Sequence, residues 1–426
     1  MSLRARFWLI SGLRWLPTGL IIPVMALLPL GRGLTVAEYG SVIAVQGIVV
    51  LCLELPTGGF ADAVGRRPVF IASALFALAS YLVYSFAQTP WAFAVATALS
   101  GVFRALDSGP LSSWFVDRVH EDPAVLDRAG TVVRGLSGYA SVVGASIATG
   151  AVLSALLVAW APLGRTNALV LPYWIAAGLV VMQVLAALVL MDEDRSKRVA
   201  GLVSSVRATP RVVLEGVRLL ARSRVLRALV AVELFWGFGM VAFESFMPIR
   251  LSELVSDRDL AAAIMGPVTA AAWGVSALGA AMVPWLLRRW SMVAVSVALR
   301  IVQGGTVVGM GLAAGPVGLI AGLFATYAVH SAAGAIYETL LHEQVGSQNR
   351  ATVLSLASMA MQPAGSVGAV ALGAIATGAS TGLAIVVGGV ALALAAPLFL
   401  VRPTSSGAPD VSAEESRLDG ARCAGR

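Results

Sequence analysis

Twelve apolar runs, each bounded by charge, proline or glycine, constrain this chain more than any other feature. They lie near residues 7–30, 38–60, 68–87, 91–116, 130–158, 168–191, 228–250, 262–287, 291–313, 315–341, 351–377 and 381–401. A helix of about 20 apolar residues crosses the hydrocarbon core of a bilayer, so each run is long enough to span. The runs are continuous rather than ten-residue alternating segments, which excludes a membrane β-barrel. Composition agrees, because 58% of the residues are hydrophobic and only 12% charged, about half the charge of a soluble domain.

The net charge of +7 invites a nucleic-acid reading, but the basic residues stand between apolar runs and mark topology instead. Arg4, Arg6, Arg66, Arg67, Arg118, Arg128, nine Lys/Arg from Arg195 to Arg227, Arg288, Arg289, Arg350 and Arg402 fall on one side, against Arg32, Arg165, Arg250 and Arg258 on the other. The positive-inside rule then places both termini and the connector in the cytoplasm. The expected organisation is a six-helix half at residues 1–191, a connector at 192–227, a second six-helix half at 228–402 and a disordered tail at 403–426. Arginine outnumbers lysine to the point that Lys197 stands alone, a composition of GC-rich bacterial genomes. The localisation expected is therefore a bacterial inner membrane.

An internal repeat supports the two halves. Arg128-Ala129-Gly130-Thr131-Val132 opens the fifth run, and Arg350-Ala351-Thr352-Val353 opens the eleventh, 222 residues later. The same offset carries Arg66-Arg67 onto Arg288-Arg289. Two landmarks sharing one offset indicate duplication of a six-span unit.

Between the second and third runs stands Gly58-Gly59-Phe60-Ala61-Asp62-Ala63-Val64-Gly65-Arg66-Arg67. This resembles the signature loop of the major facilitator superfamily, G-x-x-x-D-x-x-G-R-[RK]. The resemblance covers residues 5–402 and implies an all-α membrane fold of twelve transmembrane helices in two six-helix pseudo-repeats. It also implies that Gly58, Asp62, Gly65, Arg66 and Arg67 form a gating loop whose charge network Asp117 completes. The second copy departs from the pattern, with Pro284 in place of Asp62 and Leu287 in place of Gly65. The Leu53-Glu54-Leu55-Pro56-Thr57-Gly58 stretch looks like that of drug-efflux-like members, although the export-associated glycine–proline pair of the fifth span is absent, since Ala145 follows Gly144.

Ionisable groups inside spans cost about 2.5–3.5 kcal/mol each on insertion scales, which makes them functional candidates. Arg104 and Asp107 are three residues apart on one helical face and are expected to pair; they resemble the family's fourth-span motif, where the arginine is associated with proton coupling. Glu244 on the seventh span is the third proton-coupling candidate. Glu233 and Trp236 precede it on the same face and could line a substrate cavity for a cationic amphiphile. Arg14 either lines that cavity or snorkels to the boundary, and Glu54 is equally a solvated boundary carboxylate or a cavity group. Tyr327 and His330 share a face of the tenth span, where His330 serves as proton relay or as hydrogen-bonded core histidine. The resemblance puts the ninth span at the periphery, which argues against Arg300. Small residues Ala140, Gly144 and Ala148 on the fifth span, and Gly365, Ala369 and Gly373 on the eleventh, read as close-packing stripes.

No G-x-x-x-x-G-K-[ST] loop and no H-E-x-x-H motif occur, which disfavours an ATP-driven pump and a metalloprotease. The chain is expected to be no enzyme, to need no cofactor or metal, and to work as a monomer in the lipid bilayer without nucleic acid. The function expected is secondary active transport, with protons driving efflux of a small organic substrate by alternating access. An importer or uniporter, or a transport-dead receptor, are the alternatives.

Overall fold

The computed structural model describes residues 1–57, 64–123, 125–164, 167–193, 218–221, 223–345 and 350–401. Gly58 and Asp62 of the expected gating loop lie outside these residues, as do most of the connector and the tail; nothing is described of the Glu54 side chain. Every regular element among the described residues is helical. A bilayer offers no water to backbone polar groups, so a spanning segment must satisfy them internally.

Among the described residues, ten helical stretches are long and apolar enough to cross a membrane. The first and fourth spans complete the expected twelve, and both are interrupted. The first runs through Leu3–Ile21 and Leu27–Gly31, and the fourth through Pro90–Asp107 and Pro110–Glu121. The seventh is broken too, into Arg224–Glu244 and Met247–Val255. Subtracting the 222-residue offset carries Ser245 at that break onto Pro23 within the break of the first span, so these two interruptions are repeats of each other. The fourth-span break at Ser108-Gly109 has no counterpart, because the tenth span is one helix, Pro316–Glu343. Gly109 there takes φ +101, open to glycine at little cost, and Pro110 restarts the helix.

Helix starts follow ordinary capping chemistry. Ser2, Thr89, Asp127, Ser223, Asp257, Ser291 and Ser380 each accept a hydrogen bond from the backbone N–H three residues on, supplying acceptors for donors that the helix itself leaves unpaired. The Asp127 carboxyl is held below its ordinary pKa by the Gly130 N–H and by the Arg134 side chain.

The two sets of six spans meet along two seams. Helix Val36–Thr57 of the second span packs on helix Arg350–Gly378 of the eleventh: a Cβ at Gly40 would collide with the Ala369 carbonyl, and the Ser366 hydroxyl donates to the Ala44 carbonyl at 3.0 Å. Near the start of the second span the Ala37 N–H donates to Thr377 Oγ1 at 2.9 Å. In the other seam Gly266 of the eighth span is pressed against the Ala151 carbonyl of the fifth. All these contacts lie toward the face opposite the termini. Two turns from Ala151 toward the terminal face, a Cβ at Gly144 would meet nothing within 4 Å. The halves are therefore joined at the opposite face and splay toward the terminal face. Gly144 belongs to open space rather than to the packing stripe expected from its spacing, whereas Ala369 and Gly373 do pack closely.

Candidate functional site

At the centre of the first six spans, Arg14 is only 7% exposed and pairs with Asp107 across the first and fourth spans. Its Nε donates to Asp107 Oδ2 at 2.8 Å and its Nη2 lies 2.7 Å from the same oxygen. Nη1 donates to Thr18 Oγ1 at 3.0 Å, and the guanidinium plane lies over Phe103 at 4.4 Å and beside Trp15 at 4.5 Å. A planar cation held by carboxylate, hydroxyl and two rings has few other places to go. Asp107 occupies the last residue before the fourth-span break, so its side chain sits where the helix has just ended.

Where the sequence offered Arg104 as the partner of Asp107, the structure gives Asp107 an arginine from the first span. Helical spacing puts Arg104 and Asp107 near one face, but Arg14 brings two nitrogens and a preorganised stack. Arg104 stands close enough to Glu244 of the seventh span for their charges to act on each other. The Tyr327 hydroxyl donates to Glu244 Oε1 at 2.8 Å. Glu244 is the last residue before the seventh-span break, the repeat-related counterpart of the first-span break. Around Tyr327 and Glu244 stand Phe243, Trp273 and His330, with the Tyr327 and His330 rings stacked at 5.3 Å. Phe243 and Trp273 were not picked out from the sequence, where an aromatic in an apolar run carries no signal of its own.

Glu233 keeps different company. It is 7% exposed and lines a cavity of about 310 Å³ with Trp236, Arg300, His330, Tyr337 and Met361. Arg300 is 4% exposed and its guanidinium lies 4.7 Å from the Trp236 ring. The peripheral placement expected for this arginine is thus overturned: the ninth span turns Arg300 inward against the seventh. Its pairing with Gln303, where Nη1 donates to Oε1 at 3.0 Å, was legible as an i,i+3 polar pair in an apolar run.

At the terminal face, Arg66 Nε lies 3.4 Å from Asp117 Oδ2, with Asp117 54% exposed. The Arg66 N–H donates to Glu193 Oε1 at 2.5 Å, and Arg67 Nη2 donates to the Leu188 carbonyl at 2.6 Å. Gly65 has φ +107, and a Cβ there would meet the Glu193 carboxylate, so glycine is required both by the backbone and by this approach. Glu193, at the start of the connector, caps the third span and was not singled out from the sequence. Asp192 adds a salt bridge to Arg6 at 2.8 Å and accepts the Trp114 indole N–H through its carbonyl at 2.9 Å. These contacts draw the loop's described residues onto the first six spans.

A solved structure of the nucleoside transporter NupG superposes with a TM-score of 0.76 at 13% identity, covering 94% of this chain and 98% of that one. A point mutant of NupG gives a TM-score of 0.74 at 13% identity, with 94% and 99% covered. The human organic anion transporter MFSD10 (TETRAN) gives 0.59 at 16% identity, with 94% and 100% covered. At such identities the likeness is one of fold. No curated protein matches the sequence closely enough to be called a relative. The sequence model of the Major Facilitator Superfamily matches residues 7–369; the chain belongs to that superfamily, and is a multi-pass membrane transporter rather than an enzyme.

Proposed function

We propose that the protein is a proton-coupled exporter of small organic molecules, working by alternating access in a bacterial inner membrane with both termini in the cytoplasm. The observation that carries the coupling is the buried Arg14–Asp107 pair at the fourth-span break. Protonating Asp107 removes half of the pair and releases Arg14, so the energy of a buried charge pair is exchanged for a free segment end. Glu244, held by Tyr327 across from Arg104, is the matching carboxylate of the last six spans. The splayed terminal face gives cargo its entry from the cytoplasm, and the seams at Gly40 and Gly266 close the other side. Proton entry is worth about 2.3 kcal/mol per 100 mV of membrane potential, close to a fiftyfold gradient of cargo.

The purified protein in liposomes tests both coupling and direction. An acid interior drives cargo inward by antiport whatever the insertion orientation, and an alkaline interior does so by symport. Accumulation with an acid interior, lost on adding a protonophore, is expected. Accumulation with an alkaline interior makes the protein an importer, and equilibration without accumulation, indifferent to the protonophore, makes it a uniporter. Nucleosides and organic anions, the cargo named for the two structural relatives, belong in the panel of compounds beside cationic amphiphiles.

A further inference from the structure

The cavity between the seventh, ninth, tenth and eleventh spans holds two opposite charges that do not meet. Glu233 and Arg300 are 7% and 4% exposed and lie near enough to influence one another, yet no ion pair joins them among the described residues. Opposite charges buried in one cavity and held apart cost more than a direct pair would. Arg300 is nevertheless fixed in place, over the Trp236 ring at 4.7 Å and bonded to Gln303 at 3.0 Å. Its buried Nε has no hydrogen-bond partner, and neither has His330 Nδ1, which lines the same cavity. On the far side the Tyr337 hydroxyl donates to the Leu229 carbonyl at 3.2 Å, although Glu233 lies near enough to feel it. Glu338 adds a second carboxylate to the lining.

We propose that this cavity is a binding site for a small zwitterion with an apolar side chain. The ligand's ammonium group meets Glu233, and its carboxylate meets the Arg300 guanidinium that lines the cavity, with His330 beside it. Trp236, Leu354 and Met361 receive the side chain. Each buried charge then gains a charge-assisted hydrogen bond that it otherwise lacks. The arginine needs no reorientation, because Trp236 and Gln303 already hold it. A volume of about 310 Å³ is at the small end of ligand sites, which suits an amino acid better than a large amphiphile. As an assignment of cargo class the inference rests on the transport reading; as a binding site it does not.

Binding to the purified protein in detergent separates the two. L-tryptophan, L-phenylalanine and L-leucine are compared with tryptamine and indole-3-propionate, which keep the ring and lack one charge, and thermal stabilisation is the readout. At least one of the amino acids is expected to stabilise the protein at concentrations about tenfold below those at which either single-charge analogue does. Glu233→Gln and Arg300→Gln should each weaken that stabilisation about tenfold or more. Because those variants disturb buried charges, Gly334→Phe provides the independent arm: Gly334 lines the cavity and a Cβ there meets nothing within 4 Å. It should abolish ligand stabilisation while the unliganded melting temperature stays near that of the wild type. Equal stabilisation by tryptamine would make the site a cation site, and equal stabilisation by indole-3-propionate an anion site; either overturns the proposal. So does no response to any of the three amino acids, or an undiminished response in Gly334→Phe. Amino-acid binding intact with flux indifferent to pH would sink the coupling reading and leave the site standing.

Discussion

The two sets of six spans descend from one unit, yet their centres are built from different chemistry. Adding the 222-residue offset carries Arg14 onto Trp236, and Asp107 onto Val329, the neighbour of His330. Where the first half joins its first and fourth spans by a guanidinium and a carboxylate 2.7 Å apart, the second half joins the corresponding seventh and tenth by two rings, Trp236 and His330, 5.4 Å apart. The fourth span breaks beside its ion pair and the tenth stays continuous past its ring pair. Protonating the carboxylate abolishes the charge pair outright, whereas an indole–imidazole contact is attractive with the imidazole in either charge state. On the function proposed above, a duplicated scaffold has kept its packing and divided its labour, with coupling assigned to one half and cargo contacts to the other.

The severest way to break that comparison is to make the second half resemble the first. Trp236→Arg would place a guanidinium where Arg300 now stacks at 4.7 Å, two like charges side by side in a buried space. A cost of about 3–5 kcal/mol is expected, seen as loss of the cooperative melt in detergent, while Trp236→Phe keeps a ring and should cost less than about 3 kcal/mol. A stably folded Trp236→Arg protein would show that the halves are interchangeable after all. Next in size, Asp107→Asn should reduce accumulation driven by an acid interior about tenfold to a hundredfold, the worth of a charge-assisted buried bond, with binding retained. His330→Gln in the same assay should leave coupling within about twofold and weaken binding. The reverse pattern would place coupling in the second half.

How much of this was legible in the residues depends on whether a feature is local. The twelve spans, the repeat and the loop ending in Gly65-Arg66-Arg67 are written in contiguous sequence and were readable there. The partner of Asp107 was not, because Arg14 lies 93 residues away and helix rotation decides which arginine faces it. Arg300 is misplaced by a family-level view of the ninth span, which outweighs the residue's own signal, the glutamine three positions on. Gly40 and Gly144 show the limit most plainly. A small residue in an apolar run looks the same whether it admits a neighbouring backbone, as Gly40 does for Ala369, or faces open space, as Gly144 does.

The seams turn that ambiguity into a measurement. Gly266→Leu would drive a branched side chain into the Ala151 carbonyl, an overpacking cost of about 1–3 kcal/mol. Because the clash is confined to the closed face, flux should fall while binding from the terminal face survives; a variant with unimpaired flux would mean that the face seen closed opens elsewhere than along this seam.

The smallest effect is the most discriminating. Gly144→Ala adds a Cβ that meets nothing within 4 Å in this arrangement and removes a glycine from a helix interior, a gain of about 0.5–1 kcal/mol. The melting temperature of the unliganded protein should therefore rise by a few degrees at most. If the halves rock together at the terminal face during turnover, the same methyl group enters the narrowing gap between the fifth and eighth spans, on the face of the helix that Ala151 presents to Gly266. The stabilisation is then confined to the open arrangement, and turnover should fall even as stability rises. A rise in stability with unchanged flux would mean that the fifth and eighth spans do not approach each other at this level, and that closure at the terminal face runs through the second and eleventh spans instead.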